Sequence, residues 1–186
     1  MVTLGMLWLP ILGAAVLVFL ASALIHMVLP IHKSDYKKLP DEEAVRAALL
    51  KALPGPGQYV IPWCSDMKEM TSPEMIAKQN QGPNGLLFLR PNGQMSMGAT
   101  LGKWFLVCLL ISATTAYLAS QVLPAGSTYL AVFCPVATAA FMAYGYANLA
   151  HSIWGGRPWI IAIKELFDAL VYACLTAGMF GWRWPH

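Results

Sequence analysis

Four long runs of apolar residues, separated by polar segments, dominate the chain. They cover about Leu4–Leu29, Lys103–Leu123, Thr128–His151 and Pro158–Trp182. A helix needs roughly 20 residues to cross hydrocarbon about 30 Å thick, so each run is long enough. Apolar residues follow one another instead of alternating, which favours helices over a β-barrel. The pattern predicts an all-α membrane protein with four transmembrane helices.

A long polar segment separates the first run from the other three. We therefore expect a first transmembrane helix in residues 1–31, a loop region in residues 32–102, and helices two to four in residues 103–186, all within one membrane domain. The first run is too long for the apolar part of a signal peptide, and no positive charge precedes it. We expect it to be retained.

Short elements are predicted inside the loop region. Acidic residues open the stretch 41–53 and Pro54 closes it, which is typical of a short helix. A second helix is predicted over 72–82, with Ser72 as N-cap. Residues 59–61 and 86–89, each bounded by Gly or Pro, predict short strands that a hairpin would pair.

Composition and charge support a lipid environment. Hydrophobic residues make up 58% of the chain and charged residues only 11%, whereas soluble domains carry about 25% charged residues. The net charge of +3 is scattered and no basic run is interleaved with aromatic residues, which excludes a nucleic-acid partner.

The basic residues predict an orientation. Of 12 Lys and Arg, nine lie between the first two runs (counting Lys103), two lie at the junction of the last two runs (Arg157 and Lys164), and one, Arg183, lies beyond the fourth. Basic residues concentrate on the cytoplasmic side. We expect loop 32–102 in the cytoplasm and both termini outside.

The fourth run contains three charged residues. Each such charge costs roughly 2.5–3.5 kcal/mol at the centre of a membrane helix. Lys164 and Asp168 are spaced i,i+4, which predicts that they pair with each other, although Lys164 can also extend toward the cytoplasmic surface. Glu165 then needs a partner among polar residues at similar depth on the other helices.

Small residues recur every four positions in three of the runs, which lets another helix approach closely. The stripe in the fourth run starts beside the acidic residues, so we expect these to face protein instead of lipid. The spare stripes predict contacts with other membrane proteins or a homo-oligomer. The stripes are Ser112, Ala116 and Ser120; Ala139, Ala143 and Ala147; and Ala169, Ala173, Ala177 and Gly181.

Polar residues at similar depth predict one intramembrane cluster, whose simplest role is a hydrogen-bonded network that fixes the register of the helices. His26 and His151 are candidate cofactor-binding residues, because two histidines on different helices suit a haem iron; Tyr, His and acidic residues also suit a quinone pocket. The cluster comprises Tyr144, Asn148, Lys164, Glu165, Asp168 and Tyr172.

Other chemistry finds little support in the sequence. Hydrolase, metalloprotease and nucleotide-binding motifs are absent. Cys64 lies near several methionines, a composition that suits Cu(I), but methionine also fills apolar surfaces. We therefore predict no metal site, no catalytic residue and no required cofactor.

Three stretches resemble a group of bacterial integral membrane proteins of unknown function. They are "SALIHMVLPIHKSDYKKLPDEEAV" (Ser22–Val45), "YLAVF" (Tyr129–Phe133) and "FDALVYACLTAGMFGWRWP" (Phe167–Pro185). The resemblance implies the bacterial inner membrane and carries no activity with it.

The sequence favours a non-enzymatic accessory or structural subunit of a larger inner-membrane complex. The alternative is a redox site for haem or quinone, or a proton-coupled small-solute site, built on His26, His151, Glu165 and Asp168.

Overall fold

The computed structural model describes residues 2–52 and 55–186. About 70% of the chain is helical, which confirms the predicted helical class. The described residues form two compact units, one of residues 1–36 together with 96–186, the other of residues 37–95. The long helices are α1 (Trp8–Ala23), α5 (Met97–Val122), α6 (Tyr129–Gly155) and α7 (Trp159–Trp182).

Short turns extend α1 at both ends. A 3₁₀ turn over Leu4–Leu7 precedes it, and a π-helical turn over Leu24–Val28 follows it, closed by a hydrogen bond from the Leu29 N–H to the Leu24 carbonyl (3.0 Å). Pro30 then stops the helix, since it has no N–H and forces the preceding residue into an extended conformation. A 3₁₀ turn over Pro30–His32 follows.

Among the described residues, three helices are long and apolar enough to cross a membrane: Leu4–Val28, Met97–Val122 and Tyr129–Gly155. The second begins six residues before Lys103, because Ser96 provides an N-cap for the Ala99 N–H. α7 is of similar length, with 24 residues, but it contains the three charged residues near its start.

The small-residue stripe of α7 faces protein, as the sequence predicts. Ala169, Ala173 and Ala177 are buried, and α7 packs most extensively against α6. Gly145 of α6 permits this approach, because a Cβ there would lie 3.2 Å from the Cβ of Ala169. At Gly181 a Cβ would lie 2.7 Å from the Tyr129 ring, closer than atoms pack.

At one end of this helical unit, two hydrogen bonds to backbone carbonyls join neighbouring segments of the chain. The Trp184 indole donates to the Pro124 carbonyl (2.9 Å), and the Gly126 N–H donates to the Pro185 carbonyl (2.8 Å). The C-terminal end of α7 therefore lies beside the turn between α5 and α6. Buried Val2 and Leu7 belong to the same apolar cluster, so the start of the first helix lies at this end too.

The unit of residues 37–95 contains the short elements. Its helices are α2 (Glu42–Ala52), α3 (Met67–Met70) and α4 (Pro73–Gln81), and its strands are β1 (Gly57–Ile61) and β2 (Gly85–Leu89). The strands pair antiparallel, and Ser72 caps α4 through the Met75 N–H. Leu53 and Pro54, where the sequence predicts the end of α2, lie outside the described residues.

Candidate functional site

Asp168 of α7 lies between two histidines. Its Oδ2 is 2.9 Å from His32 Nε2 and 3.5 Å from His26 Nε2. One ligand atom from each of the three residues lies within 4.8 Å of the other two. We call His26, His32 and Asp168 the His–Asp cluster. Asp168 is only 3% exposed, which confirms that the acidic edge of α7 faces protein.

Local backbone structure brings the two histidines together. His26 lies in the π-helical turn, and His32 lies just after the reversal at Pro30. The reversal folds the chain back so that the two imidazole rings lie 4.2 Å apart, with their planes tilted by 32°. π-Helical turns occur often at functional sites, because they shift side chains out of the regular helical register.

A chain of charged groups fixes the His32 ring. Asp35 Oδ2 lies 2.6 Å from His32 Nδ1, and Asp35 Oδ1 lies 2.6 Å from Lys164 Nζ. Lys164 also donates to the Ile31 carbonyl (2.7 Å) and to Ser34 Oγ (2.9 Å). The predicted pairing of Lys164 with Asp168 is therefore wrong: the lysine side chain extends toward the 31–35 segment and pairs with Asp35.

Asp35 stays ionised because of these contacts. Burial alone raises the pKa of its carboxyl group, but the hydrogen bonds from Lys164 and His32 outweigh that effect, and the pKa falls below its ordinary value. The negative Asp35 carboxylate accepts a hydrogen bond from the His32 Nδ1–H and holds the ring in one orientation.

Glu165 has a partner that the sequence did not predict. Arg157, in the turn before α7, forms an ion pair with Glu165 Oε1. The sequence predicts a partner for Glu165 among polar residues at similar depth on the other helices, but the partner is Arg157. Since α6 ends at Gly155 and α7 begins at Trp159, the short connection places Arg157 close to the first turns of α7.

The His–Asp cluster borders two clefts. The inner cleft, of about 390 Å³, extends along α5 and α6, and its lining combines polar side chains with the indole of Trp104. The end cleft, of about 350 Å³, is lined by the 32–36 segment and the start of α7. His26 and Glu165 line both clefts, so the cluster is reached from either one.

Most of the predicted polar cluster lines the inner cleft, while Lys164 contacts the 31–35 segment instead. His151, the predicted partner of His26, is exposed on α6 and does not line either cleft. The predicted residues in the inner cleft are His26, Tyr144, Asn148, Glu165, Asp168 and Tyr172.

Several buried polar atoms at this site lack a hydrogen-bond partner within the described residues. They include both carboxylate oxygens of Asp168, His32 Nε2 and the Tyr172 hydroxyl. The distance of 2.9 Å between His32 Nε2 and Asp168 Oδ2 is short enough for a hydrogen bond, but the two groups are not aligned to form one. Buried polar atoms are nearly always paired, so this concentration is unusual for a purely structural network.

The sequence interpretation missed His32 and Asp35. A signal was present: His26 and His32 flank "MVLPI", and Asp35 follows three residues after the second histidine. Because Pro30 ends the helix between them, the two histidines are free to converge, which a continuous helix does not allow.

No protein-family model, curated protein or solved structure matches this chain.

Proposed function

We propose that this chain is a four-span protein of the bacterial cytoplasmic membrane that binds a small cationic solute, without catalysis, at the His–Asp cluster. The observation that carries this proposal is Asp168, a buried carboxylate whose two oxygens lack a hydrogen-bond partner among the described residues while it faces an accessible cleft. A buried carboxylate without well-aligned hydrogen bonds is costly, and a cation in the cleft relieves that cost.

The proposal includes α7 as the fourth span. About nine residues separate its start from Asp168, which places the carboxylate roughly 14 Å along the helix. The polar face is covered by α1 and α6, while Phe167 and Leu170 on the other side are exposed and suit lipid. The distribution of basic residues supports a cytoplasmic location for residues 37–95.

Thermal unfolding of the full chain in mild detergent tests cation binding. The probes are ammonium, tetramethylammonium, Mg²⁺ and Zn²⁺ chlorides at equal ionic strength. We expect at least one of them to raise the Tm of the wild type and not that of Asp168→Asn, because a ligand stabilises the state that binds it. If every probe shifts both proteins equally, the proposal is wrong.

A second candidate is a subunit that assembles with another membrane helix. The stripes of α5 and α7 are buried, but Ala143 and Ala147 of α6 are exposed and Ala139 is partly exposed. Ala139 and Ala143 border a groove of about 410 Å³ next to α5. A partner helix with small residues fits such a surface, since packing in lipid depends on close approach.

Chromatography and pull-down in mild detergent test this assembly. We expect the wild type to run as an oligomer or with a partner, and Ala143→Leu to run as a monomer. Cys134→Leu is the matched control, because Cys134 is exposed nine residues earlier on the same helix, about two and a half turns away and therefore on the opposite side. Recovery of only monomeric wild-type protein would contradict the assembly.

A further inference from the structure

We infer that the His–Asp cluster is a binding site for a divalent transition-metal ion of the Zn²⁺ class, with His26, His32 and Asp168 as its ligands. This inference rests on the proposed function and names its solute. Two imidazoles and one carboxylate are a common ligand set for such ions.

The hydrogen bonding of His32 is the first argument. Its Nδ1 lies 2.6 Å from a carboxylate oxygen of Asp35, so the Nδ1–H donates to Asp35 and Nε2 is the nitrogen left for a metal ion. Nε2 lies 2.9 Å from Asp168 Oδ2, and neither atom has a hydrogen-bond partner among the described residues. A cation coordinated by both atoms would satisfy them together.

The separations of the candidate ligand atoms suit one ion. Zn²⁺ binds His and Asp at about 2.0–2.2 Å, so neighbouring ligand atoms around a tetrahedral ion are about 3.4 Å apart. Asp168 Oδ2 lies 2.9 and 3.5 Å from the two histidine nitrogens. The side chain of His26 is 44% exposed, so its ring has room to adjust.

The surroundings of His32 match those of a metal ligand. Ligating histidines usually donate their other ring N–H to a carboxylate, which fixes the ring and makes the ligating nitrogen more basic. Asp35 accepts that hydrogen bond, and Lys164 holds Asp35. Asp35 and Lys164 are positioning residues in this arrangement, since neither touches the ion.

The clefts supply access and an open coordination position. His26 lines both clefts, and Asp168 lines the inner one, so an ion held between them is not enclosed by protein on all sides. Three protein ligands and one open position are typical of sites where the ion exchanges ligands, whereas purely structural zinc sites use four protein ligands.

Equilibrium dialysis of the chelator-treated full chain against Zn²⁺, followed by metal analysis, tests the site. We expect one Zn²⁺ per chain, with affinity lowered at least about 100-fold in His26→Ala, His32→Ala and Asp168→Asn, and about 10–100-fold in Asp35→Asn. Asp168→Asn keeps the shape of the side chain, so loss of binding there does not depend on misfolding.

Two matched controls make the result specific. His151→Ala removes an exposed histidine outside the clefts, and Cys64→Ser removes the thiol near the methionines of the 37–95 unit; both are expected to keep the bound Zn²⁺. The inference is overturned if the wild type binds no Zn²⁺, or if His32→Ala and Asp168→Asn bind it as the wild type does.

The thermal screen separates this inference from the broader proposal. Stabilisation by ammonium or tetramethylammonium that requires Asp168, without stabilisation by Zn²⁺, supports a cationic solute and overturns the metal site. Stabilisation by Zn²⁺ that requires both Asp168 and His32 supports both. Absence of any stabilisation that requires Asp168 overturns both.

Discussion

At the end of the helical unit that contains Val2 and Trp184, buried apolar side chains pack together and backbone groups satisfy one another across the turn. At the opposite end, the same helices hold ion pairs, two clefts and carboxylate oxygens without hydrogen-bond partners among the described residues. The first arrangement stabilises the fold through apolar packing. The second contains buried polar atoms without hydrogen-bond partners, which are costly, so the apolar end maintains the fold and the polar end is the proposed binding site.

The largest expected effect comes from the apolar end. Phe180 is fully buried, and Phe180→Ala is expected to lower the free energy of unfolding by about 3–5 kcal/mol through lost burial and the cavity left behind. Zn²⁺ affinity is expected to stay unchanged. SDS titration in mixed micelles measures the first and dialysis the second. Phe167→Ala, at a 56% exposed position, is the control and is expected to cost much less. Equal losses for both would contradict the apolar end as the source of stability.

A smaller effect is expected from Lys164→Met. The substitution leaves Asp35, whose side chain is 7% exposed, without its main partner. We expect a loss of about 1–3 kcal/mol, the cost of leaving a buried polar group unsatisfied. Lys103→Met is the matched control, because Lys103 is exposed and forms no ion pair within the described residues. An equal loss for the two variants, measured by the same titration, would show that the Lys164–Asp35 pair adds no stability.

Asp168→Asn is expected to change stability by less than about 1 kcal/mol, or to raise it, because the amide removes a buried charge that has poor hydrogen bonds. A loss comparable to that of Phe180→Ala, in mixed-micelle titration without added metal, would show that Asp168 is a structural residue.

The smallest expected effect is on the acid sensitivity of the polar end. Asp35 has a pKa below its ordinary value in the folded chain, so its contribution to stability is present above the ordinary aspartate range and is lost as the pH falls through the folded pKa. Asp35→Asn is expected to remove this part of the pH dependence, measured as Tm between about pH 5 and pH 3 with chelator present. Identical slopes in both proteins would show that Asp35 has no such role.

The apolar helices and the buried stripe of α7 follow directly from the sequence, because length, hydropathy and four-residue spacing are local properties. The partners of the charged residues do not. Lys164 binds residues about 130 positions earlier in the chain, a contact that depends on the Pro30 reversal and not on spacing within α7. For Asp168 the i,i+4 spacing indicates Lys164 and not His32, since His32 lies beyond the apolar run that defines the first helix.

Because of the π-helical turn over Leu24–Val28, the first helix contains one more residue than a regular α-helix of the same length. Each residue of a regular helix rotates the next side chain by about 100°. Shortening this turn by a single residue would therefore swing His26 away from Asp168 while leaving the upstream packing in place. The geometry of the site thus depends on this π-helical turn. Deletion of one residue from the turn is expected to abolish that geometry.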